Sequence, residues 1–185
     1  TLLALNANTS YSLSDTSANL LAGGLTVSGA TDVSVSDAIL VADANALLAL
    51  NANTTFGLSD TAADLLVPAD AATVSGAAAV AVIDSASVAD AEALRVLNFN
   101  TTYGLFDTAA NLLAPADAVT VRGATSVGVL DFVSIADADA LRALKTAKAC
   151  GSGAVDIDRR IKALTERIGP GEDSGAAQSG ASGNG

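Results

Sequence analysis

Phe56-Gly57-Leu58-Ser59-Asp60-Thr61-Ala62-Ala63-Asp64-Leu65-Leu66 passes from one kind of secondary structure to another within eleven residues. Phe56 and Leu58 alternate with small residues, the period-two mark of a short strand with one buried face. Asp60 ends the alternation, and the Ala/Leu-rich run after it favours helix. An aspartate at that junction can accept the orphan N–H groups of a helix start, so Asp60 reads as an N-cap. Pro68 then stops the helix.

The same handover recurs along the chain. The pattern [Tyr/Phe/Val]-x-[Leu/Val/Ile]-x-Asp ends at Asp15, Asp37, Asp60, Asp84, Asp107 and Asp131, at intervals of 22, 23, 24, 23 and 24 residues. A fixed period of this length is the signature of a solenoid, in which one strand-containing unit stacks on the next. Alternate units resemble each other most, giving a double unit of about 47 residues. One type reads Asn-x-Asn-Thr-[Thr/Ser]-[Tyr/Phe]-x-Leu-x-Asp-Thr and covers 6–21, 51–66 and 98–113. The other carries Thr-Val-x-Gly-Ala, then Val-x-Val-x-Asp, then an Ala/Asp-rich stretch, over roughly 25–50, 72–97 and 119–144. In this second type Ser87 with Asp90 and Ser134 with Asp137 read as capping boxes, while the first copy has Leu40 in the serine position.

The expected fold is therefore an α/β solenoid of six strand–helix coils of about 23 residues, with parallel strands, like leucine-rich repeats in geometry. A right-handed parallel β-helix is the alternative, with Thr-Val-[Ser/Arg]-Gly as a second strand. The solenoid spans 1–144, followed by a linker at 145–154, a capping helix at 155–168 and a disordered tail at 169–185. In the capping segment Ile157, Ile161, Leu164 and Ile168 form one stripe, opposite Arg159, Arg160, Lys162, Glu166 and Arg167. The run Thr1–Thr9 matches 46–54, so the chain opens inside a repeat helix, as a fragment of a longer repeat protein would.

Composition narrows the chemistry. With no histidine and a single cysteine, Cys150, imidazole metal sites, histidine-based triads and intrachain disulfides are excluded. Aromatics are only 3% of residues, so Ala, Val and Leu must fill the core. The net charge of −11 is unevenly spread: residues 1–94 hold ten acids and no Lys or Arg. Such a surface repels nucleic acid and anionic membranes and attracts divalent cations or basic proteins. No run of 18 apolar residues suggests a membrane span.

The candidate site is the row of six aspartates. Lateral neighbours about 4.8 Å apart would repel by about 0.9 kcal/mol in water and about 3.5 at an effective dielectric of 20. Helix capping offsets that repulsion, and Ca²⁺ bridging the carboxylates is the alternative. The Gly-Gly-x-Gly-x-Asp nonapeptide of calcium β-rolls is absent. The Asn-x-Asn-Thr motifs (Asn6/Asn8, Asn51/Asn53, Asn98/Asn100) contain three glycosylation sequons and read as turns in which Asn takes left-handed geometry and bonds its own backbone. The acid pairs Asp137/Asp139, Asp90/Glu92 and Asp156/Asp158 lack a tuned partner, so no enzyme activity and no cofactor are expected.

Tyr103-Gly104-Leu105-Phe106-Asp107-Thr108-Ala109-Ala110-Asn111-Leu112 and Ala72-Thr73-Val74-Ser75-Gly76-Ala77 resemble the Ala/Asp/Thr-rich tandem repeats of very large bacterial surface or secreted proteins, often labelled haemolysin-type or calcium-binding. The resemblance covers residues 1–144. It implies an extracellular or cell-surface structural or adhesive element, acting through protein partners or self-assembly at the solenoid ends. A calcium-stiffened repeat and an acidic scaffold for a basic protein partner are the competing expectations.

Overall fold

The computed structural model describes residues 9–147. Six strands, β1 (Ser12–Asp15), β2 (Asp32–Ile39), β3 (Thr54–Asp60), β4 (Val80–Ala86), β5 (Thr101–Asp107) and β6 (Val127–Val129), form one open sheet. They lie side by side in chain order and every adjacent pair is parallel. Parallel neighbours need a crossover, and each one here is helical. Even strands are followed by one longer helix: Val41–Leu50, Val88–Leu97 and Ile135–Ala147. Odd strands are followed by shorter pieces. These are Ser17–Gly23 and Leu25–Ser28 after β1, Ala62–Leu65, a 3₁₀ turn Pro68–Asp70 and Ala71–Gly76 after β3, and Ala109–Leu112, Pro115–Asp117 and Ala118–Gly123 after β5.

Two expectations change here. The connections after odd strands hold two or three helical pieces instead of one. The Thr-Val-x-Gly segments are helical, which overturns the second strand of the β-helix alternative. Tertiary burial decides against the β preference of this Thr-Val pair. Val27, Val74 and Val121 are all fully buried against the sheet, and a helical turn is what points them there.

The core lies between the inward strand residues Val33, Phe56, Leu58, Val80, Tyr103 and Leu105 and the helix residues Leu20, Leu47, Leu65, Leu94, Leu112 and Leu144. A leucine moved from water to such a site contributes about 1.5–3 kcal/mol. Leucines at equivalent places, Leu20, Leu65 and Leu112 in one unit type and Leu47, Leu94 and Leu141 in the other, let an aromatic-poor chain close its core.

Registry separates the two kinds of junction. From odd to even strand the pairing is regular: Asp15 lies opposite Val35, Asp60 opposite Val82 and Asp107 opposite Val129. From even to odd it breaks. Ser34 pairs with Thr55 but Ala38 with Gly57, and Ala81 pairs with Thr102 but Ser85 with Gly104. Three residues of the even strand thus face one of its neighbour, a bulge that contains Asp37 or Asp84. The aspartates are consequently not lateral partners. Each odd-strand Asp sits opposite a valine two residues short of the next Asp, so the expected column of adjacent charges is a staggered one.

The helix Ile135–Ala147 runs through the first three residues of the expected linker 145–154. The rest of that linker, the capping helix 155–168 and the tail 169–185 lie outside the described residues, as do Cys150, Asp156 and Asp158.

Candidate functional site

Asp15, Asp60 and Asp107 end their strands, Asp37 and Asp84 lie in the bulges of theirs, and Asp131 follows β6. None of the six is an N-cap. After the odd strands the cap is the following threonine. The Oγ1 atoms of Thr16, Thr61 and Thr108 accept from the N–H of Asn19 (3.4 Å), Asp64 (3.2 Å) and Asn111 (3.3 Å). Ser87 caps its helix as expected, accepting from Asp90 N–H at 3.1 Å and donating its hydroxyl to the Asp90 carboxylate at 2.7 Å. Ser134 and Asp137 repeat that box. With Thr at the cap, the odd-strand Asp is one residue too early to reach its own third helical N–H.

Each carboxylate from Asp37 onward instead reaches back to the helix that precedes its own strand. Asp37 accepts from Ser17 N–H (2.8 Å) and Ser17 Oγ (2.9 Å), Asp60 from Val41 N–H (3.0 Å) and Asp84 from Ala62 N–H (2.9 Å). Asp107 accepts from Val88 N–H (2.9 Å) and Asp131 from Ala109 N–H (2.8 Å). In all five cases the donor is the first residue of its helix, one of the orphan amides a helix start leaves open. The positive end of the helix dipole adds to the attraction. Val41 shows the effect most plainly. Its helix begins after Leu40, which has no side-chain cap, and Asp60 supplies the missing acceptor.

The odd-strand aspartates also hold their own turn. Asp15, Asp60 and Asp107 accept the N–H of Thr16 (2.8 Å), Thr61 (2.9 Å) and Thr108 (2.7 Å). Asn19 and Asn111 donate their Nδ2 groups to Asp15 and Asp107, each at 2.8 Å. At Asp15 and Asp107 these donors favour the ionised form. Burial pushes the Asp107 carboxyl up, but the Val88, Asn111 and Thr108 donors outweigh it and hold it below the ordinary value. Asn19 and Thr16 lower Asp15, and the Ser17 amide lowers Asp37. Among the described residues no three Asp, Glu or Cys side chains gather in a metal-ligand arrangement.

The asparagine motifs also join neighbours. Asn51 and Asn98 are buried, and each donates Nδ2 to two carbonyls: Val27 (3.0 Å) with Ala30 (2.7 Å), and Val74 (3.0 Å) with Ala77 (2.7 Å). Their Oδ1 atoms accept from Asn53 and Asn100 N–H, the self-bonding turn expected. The left-handed geometry is not there. Asn51 and Asn98 are extended, with φ of −148° and −145°, and no described residue but Gly24 has positive φ. The turn at 52–53 and 99–100 is made without left-handed backbone. The sequon residues Asn53 and Asn100 are exposed, with Nδ2 donating to Thr31 (3.1 Å) and Ala78 (3.2 Å) carbonyls. Asn6 and Asn8 lie outside the described residues.

Two features had no place in the sequence reading. Tyr11 and Tyr103 donate their hydroxyls to the Thr26 (2.6 Å) and Thr120 (2.9 Å) carbonyls, tying an odd strand to the helix before the next strand. Their signal was the glycine eighteen or twenty residues later, Gly29 or Gly123, where a Cβ would lie 2.9 or 2.8 Å from the hydroxyl. The second feature is a change of character at the position before each Asp. Ser14, Ser36 and Ser59 give way to Ile83, Phe106 and Leu130, which are 62%, 48% and 62% exposed. The position that is serine on β1, β2 and β3 thus becomes apolar on β4 and β5 and just past β6.

No known family, curated protein or solved structure matches this chain.

Proposed function

We propose that this chain is a non-enzymatic structural and interaction module: a solenoid of strand–helix coils, leucine-rich-repeat-like in geometry, serving as a rigid spacer in a large bacterial surface or secreted protein. One observation carries the reading. From Asp37 on, each ladder carboxylate holds the helix start of the coil before it, at sequence separations of 19, 20 or 22 residues. Side chains that would mark a binding or catalytic site in a globular protein are thereby committed to joining coils. The in-order parallel sheet and the repetition of the same bonds at alternate coils support the solenoid. The Ala/Asp/Thr-rich resemblance supports the extracellular setting, and the apolar residues Ile83, Phe106 and Leu130 suit protein contacts on the C-terminal half.

A rigid spacer makes a measurable demand. With Cys150 replaced by serine, spin labels at Ser14→Cys and Leu130→Cys span five strand steps, about 24 Å at the usual strand spacing. A narrow distance distribution, the same with Ca²⁺ and with EDTA, is the expected outcome. A broad distribution would sink the spacer, and one that narrows only with Ca²⁺ would favour a calcium-stiffened repeat.

A further inference from the structure

The last described strand–helix unit can be compared residue by residue with the two units that share its sequence pattern. Val41 and Val88, the first residues of their helices, are each 3% exposed, yet Ile135 at the same place is 84% exposed. Ile39 and Ala86 are buried, while their counterpart Val133 is 37% exposed. In β2 and β4 the two residues at that level (Ala38-Ile39 and Ser85-Ala86) pair with the following strand. Their counterparts Phe132-Val133 lie beyond the end of β6, and Phe132 is fully exposed. Phe132, Val133 and Ile135 thus form an apolar end face at positions that the next strand covers elsewhere.

Lys145 departs from the pattern of the two earlier units at this level. It stands where Asn51 and Asn98 turn the chain into the next strand, and it donates Nζ to the Ala124 carbonyl at 2.7 Å, as those asparagines do to Ala30 and Ala77. The side chain keeps the contact but cannot supply the Oδ1 acceptor that starts the turn.

We infer that this end face is covered by the chain's own segment 155–168, through its stripe of Ile157, Ile161, Leu164 and Ile168. Thirty-eight residues follow Ala147, and the segment lies within easy reach after a Gly-Ser-Gly stretch. Its charge is complementary. Residues 148–168 hold five bases against three acids, whereas residues 9–147 hold fifteen acids against four bases. Asp131, Asp137 and Asp139 belong to the unit that ends in this face, and the segment carries Arg159, Arg160, Lys162 and Arg167. The inference concerns how the stack is closed, and it stands apart from the spacer role.

The chain contains no tryptophan, so Phe132→Trp in the full-length protein reports on this face alone. Emission should be blue-shifted and shielded from acrylamide, independently of protein concentration. Adding Leu164→Asp should abolish the shift and the shielding while far-ultraviolet circular dichroism keeps its shape. A solvent-exposed emission in the full-length chain overturns the inference. So does shielding that grows with concentration, which assigns the face to a second copy. Shielding that survives Leu164→Asp overturns it as well, because the stripe would then not be the cover.

Discussion

Replacing Phe56 by tyrosine should stabilise the protein, and replacing Gly76 by alanine should stabilise it too, but the two together should not. Phe56 is 4% exposed and occupies the place taken by Tyr11 and Tyr103 in the other odd strands. Those tyrosines donate to Thr26 and Thr120 at 2.6 and 2.9 Å, and Thr73 offers the equivalent carbonyl. Space for the new hydroxyl exists beside Gly76, where a Cβ would have nothing within 4 Å. A hydrogen bond made there contributes about 0.5–1.5 kcal/mol, whereas a buried hydroxyl without a partner would cost about 1–3. Gly76 is the last residue of a helix with ordinary φ, so alanine gains about 0.5–1 kcal/mol. In the double variant the methyl and the hydroxyl would meet as they would at Gly29 and Gly123, at 2.9 and 2.8 Å. The coupling should therefore be unfavourable, by roughly 1 kcal/mol. Thermal and urea unfolding of the four proteins reads this directly, at about 2–4 °C per kcal/mol for a chain of this length. Gly123→Ala, set against Tyr103, should destabilise. Additivity within about 0.3 kcal/mol, or a destabilising Phe56→Tyr, would refute the reasoning.

Asp107→Ala should cost about 2–3 kcal/mol in urea unfolding, because it strips acceptors from Val88 N–H and Thr108 N–H at a buried site. Asp15→Ala, which holds only its own turn, should cost clearly less, and equal losses would count against the reach-back bond as the main contribution. Glu92→Asn should stabilise near neutral pH by on the order of 1 kcal/mol. It reproduces Asn45, which donates to Asp70 at 2.7 Å, where burial and Glu92 now push the Asp117 carboxyl up. A raised carboxyl destabilises once ionised. The gain should therefore shrink as pH falls through the raised value and be gone below the ordinary carboxylate value of about 4, and a gain that persists there would contradict the cause. Asp107, held low, has the opposite sign: its contribution is full above that value and is lost as pH falls through the depressed one. Melting in Ca²⁺ and in EDTA should coincide. A site filled at a hundred times its dissociation constant would instead add about 2.7 kcal/mol.

Period-two alternation placed every strand, because an inward residue such as Leu58 or Leu105 has one face to fill and the chain says so locally. The six aspartates were found for the same reason. Their partners were not, since Val41 and Ala62 offer a bare amide that no side chain announces, 19 or 22 residues from the acceptor. Asp60 and Thr61 are both competent caps, and only the observed backbone, which starts the helix at Ala62, separates them. The Thr-Val pair at 73–74 was ambiguous between strand and helix until its burial against the sheet decided. Ser, Gly and Ala dominate the outer positions, and that obscured the change to Ile83, Phe106 and Leu130.

The reach-back bonds impose a direction in time. A chain made from its N-terminus presents Val88 N–H well before Asp107, nineteen residues later, exists to receive it. At about 5–20 residues per second that interval is roughly one to four seconds. During synthesis the newest helix is therefore always one acceptor short, and each unit is completed by its successor. The growing end stays open to the next unit, while everything behind it is already fastened.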